Sequence, residues 1–375
     1  ISIILDGVFS HTGCDSRYFN MYSHYDDIGA YNSKESPYFS WYKFINWPDE
    51  YRSWWGIKLL PEVIEEDEGY RNYICGENGI LKKWLRCGIA GYRLDVADEL
   101  PDIFLDDLRK SVKSENENAI IIGEVWEDAT NKFAYGQRRK YLLGEELDSV
   151  MNYPFADAIL NFVRYANGNA FFNAVLSIIE NYPPQVLNVL MNHIGTHDTE
   201  RAITRLAGEN PDGHDRAWQF EHNTLSEFDY LKGISMMKIA SLIQFTLPGV
   251  PSIYYGDEIG MQGMKDPFNR ACMPWNKPNE ELLKWYKRLG QIRHSSKAFI
   301  DGDFEKLYCD GGVIAYSRSS EGDNILVAIN NSNEQKRIFV GTQWDNSYSL
   351  FDEKSIDGFV NLPPYRYTLL SKKEY

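Results

Sequence analysis

The chain has 375 residues, 43% of them hydrophobic and 25% charged, a globular balance that excludes disordered, fibrous and low-complexity architectures. With 54 acidic against 39 basic residues the formal net charge is -15, so phosphate backbones and anionic lipid are repelled, and no nucleic acid or membrane partner is expected. Five scattered cysteines without a CxxC pair indicate neither a disulfide framework nor a zinc site, and favour a reducing, cytoplasmic setting.

Residues 1–5 (Ile-Ser-Ile-Ile-Leu) read as a strand, with no initiator Met and no charged leader before them; the chain is expected to lack its natural beginning. Residues 12–58 form a stretch rich in Tyr, Trp, Asp and Ser, too long for a simple βα loop, and predict a small insertion subdomain. Further short β-branched runs at 89–94, 119–122, 147–151, 187–191 and 250–254 alternate with helical patterns, the order of parallel βα units. The segment opening at Pro101 and that at 279–295 carry apolar residues at helical spacing, including Leu282, Tyr286, Leu289 and Ile292. The apolar region 234–255 contains Lys238, Gln244, Pro248 and Pro251, which suits a buried helix followed by a strand rather than a bilayer span. After about residue 300 alternating runs such as Gly312-Val-Ile-Ala-Tyr-Ser and Asn324-Ile-Leu-Val-Ala-Ile-Asn predict an antiparallel β domain.

The predicted strands are followed by carboxylates: Asp6, Asp95, Glu124, Asp198, and Asp257-Glu258. In a βα barrel, strand ends surround one mouth, so acids distant in sequence converge there. Clustered like charges require a shared proton or a balancing cation, and either separates their pKa values. Arg93 and Asp95, two apart on one strand, share a face, which keeps Asp95 ionised beside a fixed positive charge. Glu124 follows Ile120-Ile-Ile122 and precedes Val125-Trp126, an apolar setting that raises a carboxyl towards general-acid use. An ionised and a protonated carboxyl across one bond form the apparatus of retaining glycoside hydrolysis.

Four segments in order, Asp6-Gly-Val-Phe-Ser-His11, Gly91-Tyr-Arg-Leu-Asp95-Val-Ala-Asp-Glu, Gly123-Glu-Val-Trp126 and His193-Ile-Gly-Thr-His-Asp-Thr-Glu-Arg201, resemble the signature segments of the alpha-amylase family. Trp54-Trp-Gly-Ile-Lys-Leu-Leu-Pro-Glu62 and Gly249-Val-Pro-Ser-Ile-Tyr-Tyr-Gly-Asp-Glu258 resemble two more. The resemblance implies Asp95 as nucleophile, Glu124 as general acid/base and Asp198 as a third carboxylate on the sugar hydroxyls. It also implies a substrate-binding set of His11, Arg93, His197, Asp6 and Trp126. Nine of the residues at 38–55 are aromatic, and flat rings stack on pyranose faces; Trp41 and Trp47 are the candidates for exposed sugar contacts.

The Asp-Val-Ala-Asp-Glu run and Asp266-Pro-Phe-Asn-Arg-Ala-Cys-Met-Pro-Trp275 are most similar to neopullulanases, cyclomaltodextrinases and maltogenic amylases. The resemblance implies a (β/α)8 TIM barrel, here truncated at its N-terminus to strands 3–8, over residues 1–300, with 12–58 as the insertion and 301–375 as a C-terminal antiparallel β-sandwich. The implied activity is retaining hydrolysis of α-1,4 and α-1,6 glucosidic bonds in maltooligosaccharides, cyclodextrins or pullulan, with transglycosylation from the same intermediate left open. Also open are a non-catalytic glycan-binding relative, a metal-dependent barrel hydrolase, and a homodimer for a full-length parent. Ser10 stands where many members have a calcium-binding Asn, so no metal or other cofactor is expected; Glu127 replaces a frequent His after the Glu-x-Trp trio. A chain with six of eight strands is expected to act weakly alone, because two sheet edges stay unpaired.

Overall fold

The computed structural model describes residues 1–134, 136–351 and 356–372. Two compact units emerge, Ile1–Met151 and Asn152–Tyr375.

In the first unit, β1 (Ile4–Gly7), β2 (Gly91–Leu94), β3 (Ile120–Gly123) and β4 (Ser149–Val150) form a four-stranded sheet in that order, every pair parallel. Parallel neighbours need crossovers, and helices supply them. α1 (Glu68–Cys75) and α2 (Ile80–Arg86) lie between β1 and β2, and α3 (Asp102–Glu115) lies between β2 and β3. α3 begins after Pro101 and buries Phe104, Leu105, Leu108 and Val112, the helical stripe read from sequence. Gly123 packs closely: a Cβ there would lie 2.5 Å from Leu147 Cδ1 and would displace that side chain.

The stretch 12–58 has only short regular elements, an antiparallel pair Phe44–Asn46 with Glu50–Tyr51 and two 3-10 turns, around an aromatic core. Phe19 is fully buried with its ring 4.8–5.9 Å from those of Tyr31, Tyr42, Phe44 and Tyr51. Trp41, expected as an exposed sugar contact, is instead 5% exposed, wedged among Tyr18, Tyr38, Tyr70 and Tyr73. Its large apolar area gains more from that packing than from solvent. Trp47 is half-buried, its Nε1 donating to Ala30 O at 3.1 Å.

In the second unit, α4 (Tyr153–Tyr165) and α5 (Gly168–Asn181) precede β5 (Met191–Asn192). The strand expected at 187–191 is therefore shorter and later, because Pro183 and Pro184 open a helical turn at Pro184–Leu187. α6 (Glu227–Thr246), capped by Ser226, connects β5 to its parallel partner β6 (Val250–Pro251). No helix among the described residues is long and apolar enough to cross a membrane. α7 (Glu280–Ser295) buries Leu282, Tyr286, Leu289 and Ile292, as the periodicity predicts.

The rest is antiparallel. β7 (Asp303–Asp310), β8 (Val313–Ser320), β9 (Asp323–Asn330), β11 (Tyr348–Ser349) and β13 (Arg366–Ser371) form one sheet, and β10 (Lys336–Phe339) pairs with β12 (Phe359–Leu362). Both sheets contribute to one apolar cluster, including Val313, Leu326, Ile338, Trp344, Val360 and Leu370, the packing that a two-layer β domain requires.

Candidate active site

Register decides which strand-end residues meet in the first unit. Asp6 is the partner of Arg93, and Leu94 is the partner of Gly123, so Asp95 and Glu124 leave neighbouring strands at the same level. The ladder continues into them: Asp95 N–H donates to Gly7 O at 3.1 Å and Glu124 N–H to Leu94 O at 2.9 Å.

Arg93 binds these acids together. Its Nη1 donates to Asp6 Oδ1 at 2.7 Å and Asp95 Oδ1 at 2.8 Å, and its Nη2 lies 2.7 Å from Glu124 Oε2. The planar guanidinium directs several N–H groups at once, which lysine cannot do. Glu124 is 5% exposed; Val96 N–H donates to its Oε2 at 2.9 Å and Trp126 Nε1 to its Oε1 at 3.0 Å. Burial pushes the Glu124 carboxyl above its ordinary range, a direction that survives the opposing pull of Arg93, the Val96 amide and Trp126. Val96 adopts a left-handed backbone at φ 41°, unfavourable for a β-branched residue, and that conformation accompanies the aim of its amide at Glu124.

His11 follows β1 and stacks on Trp54, with ring centroids 5.1 Å apart. Burial lowers its pKa against the opposing charges of Asp95, Glu99 and Glu62, which favours the neutral imidazole. Trp54 and Trp55 both donate their Nε1 to Glu99, at 2.8 and 2.9 Å. Trp55 is 79% exposed, and Trp126 is also exposed. A cleft of about 420 Å³ runs past Ser10, Trp54, Trp55, Glu62 and Glu99. The Trp54/Trp55/Glu99 trio was missed as a site by sequence reasoning, although the doubled Trp before Gly56 was a visible signal.

The Ser10 hydroxyl is buried and lies 2.9 Å from His11 Nδ1, and Glu62 is ion-paired with Arg52. No group of three or more His, Cys, Asp or Glu among the described residues is placed to hold a metal ion.

In the second unit, β5 leads into the segment bearing His197 and Asp198. His197 Nε2 lies 3.2 Å from Asp198 Oδ2, and Arg270 Nη2 lies 3.5 Å from Asp198 Oδ1. His193, in the same motif, is buried beside Tyr153, and desolvation lowers its pKa to about 3. Asp257, expected at the mouth with the other strand-end acids, is instead an internal counter-ion 2% exposed, 3.5 Å from Arg201 Nη1. Burial raises its pKa to about 7, against Arg201. Gly195 permits this packing, since a Cβ there would lie 2.5 Å from Asp257 Oδ2.

The structure thus brings Asp6, Arg93, Asp95 and Glu124 together in one unit, with Trp126 on Glu124, and sets His197 beside Asp198 in the other. Comparison with known proteins gives the context. Residues 1–347 match the model of the alpha-amylase catalytic domain. An amylopullulanase of Thermoanaerobacter thermohydrosulfuricus is 33% identical over 91% of this chain and 25% of its own length. A cyclomaltodextrinase of Thermoanaerobacter pseudethanolicus is 33% identical over 91% of this chain and 54% of its own. The chain therefore spans about half or less of the length of these curated relatives. Among solved structures, a debranching enzyme of Nostoc punctiforme aligns with TM-score 0.79 and 26% identity, covering 99% of this chain and 75% of that one. A motif set in order and a match across most of the sequence lead to one conclusion: the chain belongs to the alpha-amylase catalytic-domain family.

Proposed function

We propose that the protein is a retaining glycosidase acting on α-1,4 and α-1,6 bonds of short or cyclic α-glucans. The observation that carries this reading is the Arg93 bridge, which sets a carboxylate (Asp95) and a buried carboxyl raised towards its acid form (Glu124) at one level of adjoining strands. Asp95 attacks the sugar C1 while Glu124 protonates the departing glycosidic oxygen. A covalent glycosyl-Asp95 intermediate forms, and Glu124, now ionised, takes a proton from the incoming water. A sugar hydroxyl in place of water gives transglycosylation. Arg93, which stays charged, donates to Asp95 Oδ1 at 2.8 Å and so orients the attacking carboxylate.

By the family resemblance Asp198 is a further carboxylate that accepts from sugar hydroxyls, with His197 3.2 Å beside it, and His11 is a sugar-hydroxyl donor of the first unit. The exposed rings of Trp126 and Trp55 supply stacking faces for neighbouring sugars. The names amylopullulanase and cyclomaltodextrinase borne by relatives support α-glucans as the substrate class. In this reading the parallel strands belong to a (β/α)8 barrel within residues 1–300, residues 12–58 are its insertion, and 301–375 are a β-sandwich, of which 352–355 and 373–375 lie outside the described residues.

The test is Glu124→Gln assayed on maltoheptaose, β-cyclodextrin and pullulan, with NMR of the first-formed anomer in the wild type. Retention of the α-anomer and loss of about three orders of magnitude in kcat for the variant are expected. Inversion, or unchanged turnover in the variant, contradicts the reading.

A further inference from the structure

The segment 193–201 carries His197 and Asp198, yet the residue that fixes it comes from another part of the same unit. Asn269 Nδ2 donates to His197 O and to Thr199 O, each at 2.7 Å. Both partners are carbonyl acceptors, so the amide nitrogen, not its oxygen, must face them. These carbonyls belong to the two residues that flank Asp198, in the peptide groups 197–198 and 199–200, and one NH2 group holds both. Turning the Asp198 Cα–Cβ direction strains one of these two part-buried bonds. Asn269 is fully buried, where a lost hydrogen bond leaves an unsatisfied group. Arg270 reinforces the grip, its Nε donating to His197 O at 3.1 Å, and Thr196 Oγ1 receives the Asp198 N–H at 3.2 Å. The side chain of Asp198 itself has looser restraints, His197 at 3.2 Å and Arg270 at 3.5 Å.

We propose that Asn269 is the positioning residue for Asp198: it sets the backbone on both sides and thereby the direction in which the carboxylate meets the sugar. This rests on the reading of Asp198 as a carboxylate that contacts substrate. The Asp266-Pro-Phe-Asn-Arg run, which marks a subgroup in sequence, thus has a mechanical role through its fourth residue. Because the contact made by Asp198 strengthens as the ring distorts, a misdirected carboxylate lowers kcat more than it raises KM.

The experiment is a double-mutant cycle of N269D and D198N, with kcat and KM measured on maltoheptaose and folding monitored by circular dichroism. N269D is isosteric, removes the donor and sets a carboxyl against two carbonyls. The expected results are a loss of about 10- to 100-fold in kcat for N269D alone, a larger loss for D198N, and no more than about a twofold further loss when N269D is added to D198N. A residue of purely structural importance would instead multiply its effect onto that of D198N, which overturns the proposal, as does an unchanged kcat for N269D beside an impaired D198N. Unchanged turnover in D198N overturns the role of Asp198 itself, a separate failure. If N269D does not fold, N269S, which keeps a single shorter donor, enters the same cycle with the same opposed outcomes.

Discussion

Arg93 Nη2 lies 2.7 Å from Glu124 Oε2, and even so the Glu124 carboxyl is displaced upward rather than downward, because burial outweighs the guanidinium. The same guanidinium contacts Asp6 and Asp95, so one cation serves three carboxylates of different exposure. Removing it exposes all three to mutual repulsion. Arg93→Lys is expected to lower kcat by about 100-fold, since an ammonium cannot reach three partners in fixed directions, and Arg93→Leu by more. Melting curves should show destabilisation of about 3–5 kcal/mol for Arg93→Leu near neutral pH, the typical effect of stranding buried charge.

The acid form of Glu124 disappears as pH rises through its raised pKa, so kcat/KM should fall on the alkaline side at a midpoint above the ordinary glutamate value of 4.5. Trp126 Nε1 donates to the ionised carboxyl and so holds that pKa down. Trp126→Phe removes the donor and keeps a ring; its alkaline limb should move to higher pH. A limb that moves lower, or does not move, argues against Trp126 as a partner of the acid.

Glu65, which lines the cleft beside Glu62, offers a test of stability. It is 8% exposed, and burial raises its pKa to about 8. The folded state therefore holds a proton that the unfolded chain releases near 4.5, so stability falls as pH rises from about 4.5 to about 8. Glu65→Gln should melt at nearly the wild-type temperature at pH 4 and at a higher temperature at pH 8.5, by the equivalent of a few kcal/mol at most. Equal shifts at both pH values would contradict it.

The two tryptophan environments predict opposite phenotypes. Trp41→Ala removes a ring from an aromatic core and should cost about 3–5 kcal/mol of stability. Trp55→Ala alters a ring 79% exposed and should leave the melting temperature within a few degrees while raising KM for maltooligosaccharides severalfold.

Much of this was legible because period-2 strands and strand-end acids are local signals. Asp95 and Glu124 meet because their strands pair in register, and register follows from the apolar runs 89–94 and 119–122. Helix 280–295 was readable for the same reason, its buried face repeating every three to four residues. The failures share a cause, which is that burial of a single residue within a mixed segment is decided by tertiary packing. Trp41 and Trp55 belong to one aromatic run, yet one is enclosed by Tyr70 and Tyr73 from α1 while the other projects outward. Asp257, expected at a strand end, instead opens the helical turn Asp257–Ile259 beyond β6 and faces Arg201 inside the protein, and no spacing rule foretells that pair. Asn269 acts through two carbonyl groups, which leave no trace in side-chain chemistry.

The central claim is a covalent bond between the sugar and Asp95. Incubation with a 5-fluoro-α-glucosyl fluoride, followed by protease digestion and mass spectrometry, measures it directly. One glycosyl adduct on the peptide containing Asp95, absent from Asp95→Asn, is the predicted result. An adduct on another carboxylate, or turnover of the reagent with inversion and no adduct at any time, would contradict it.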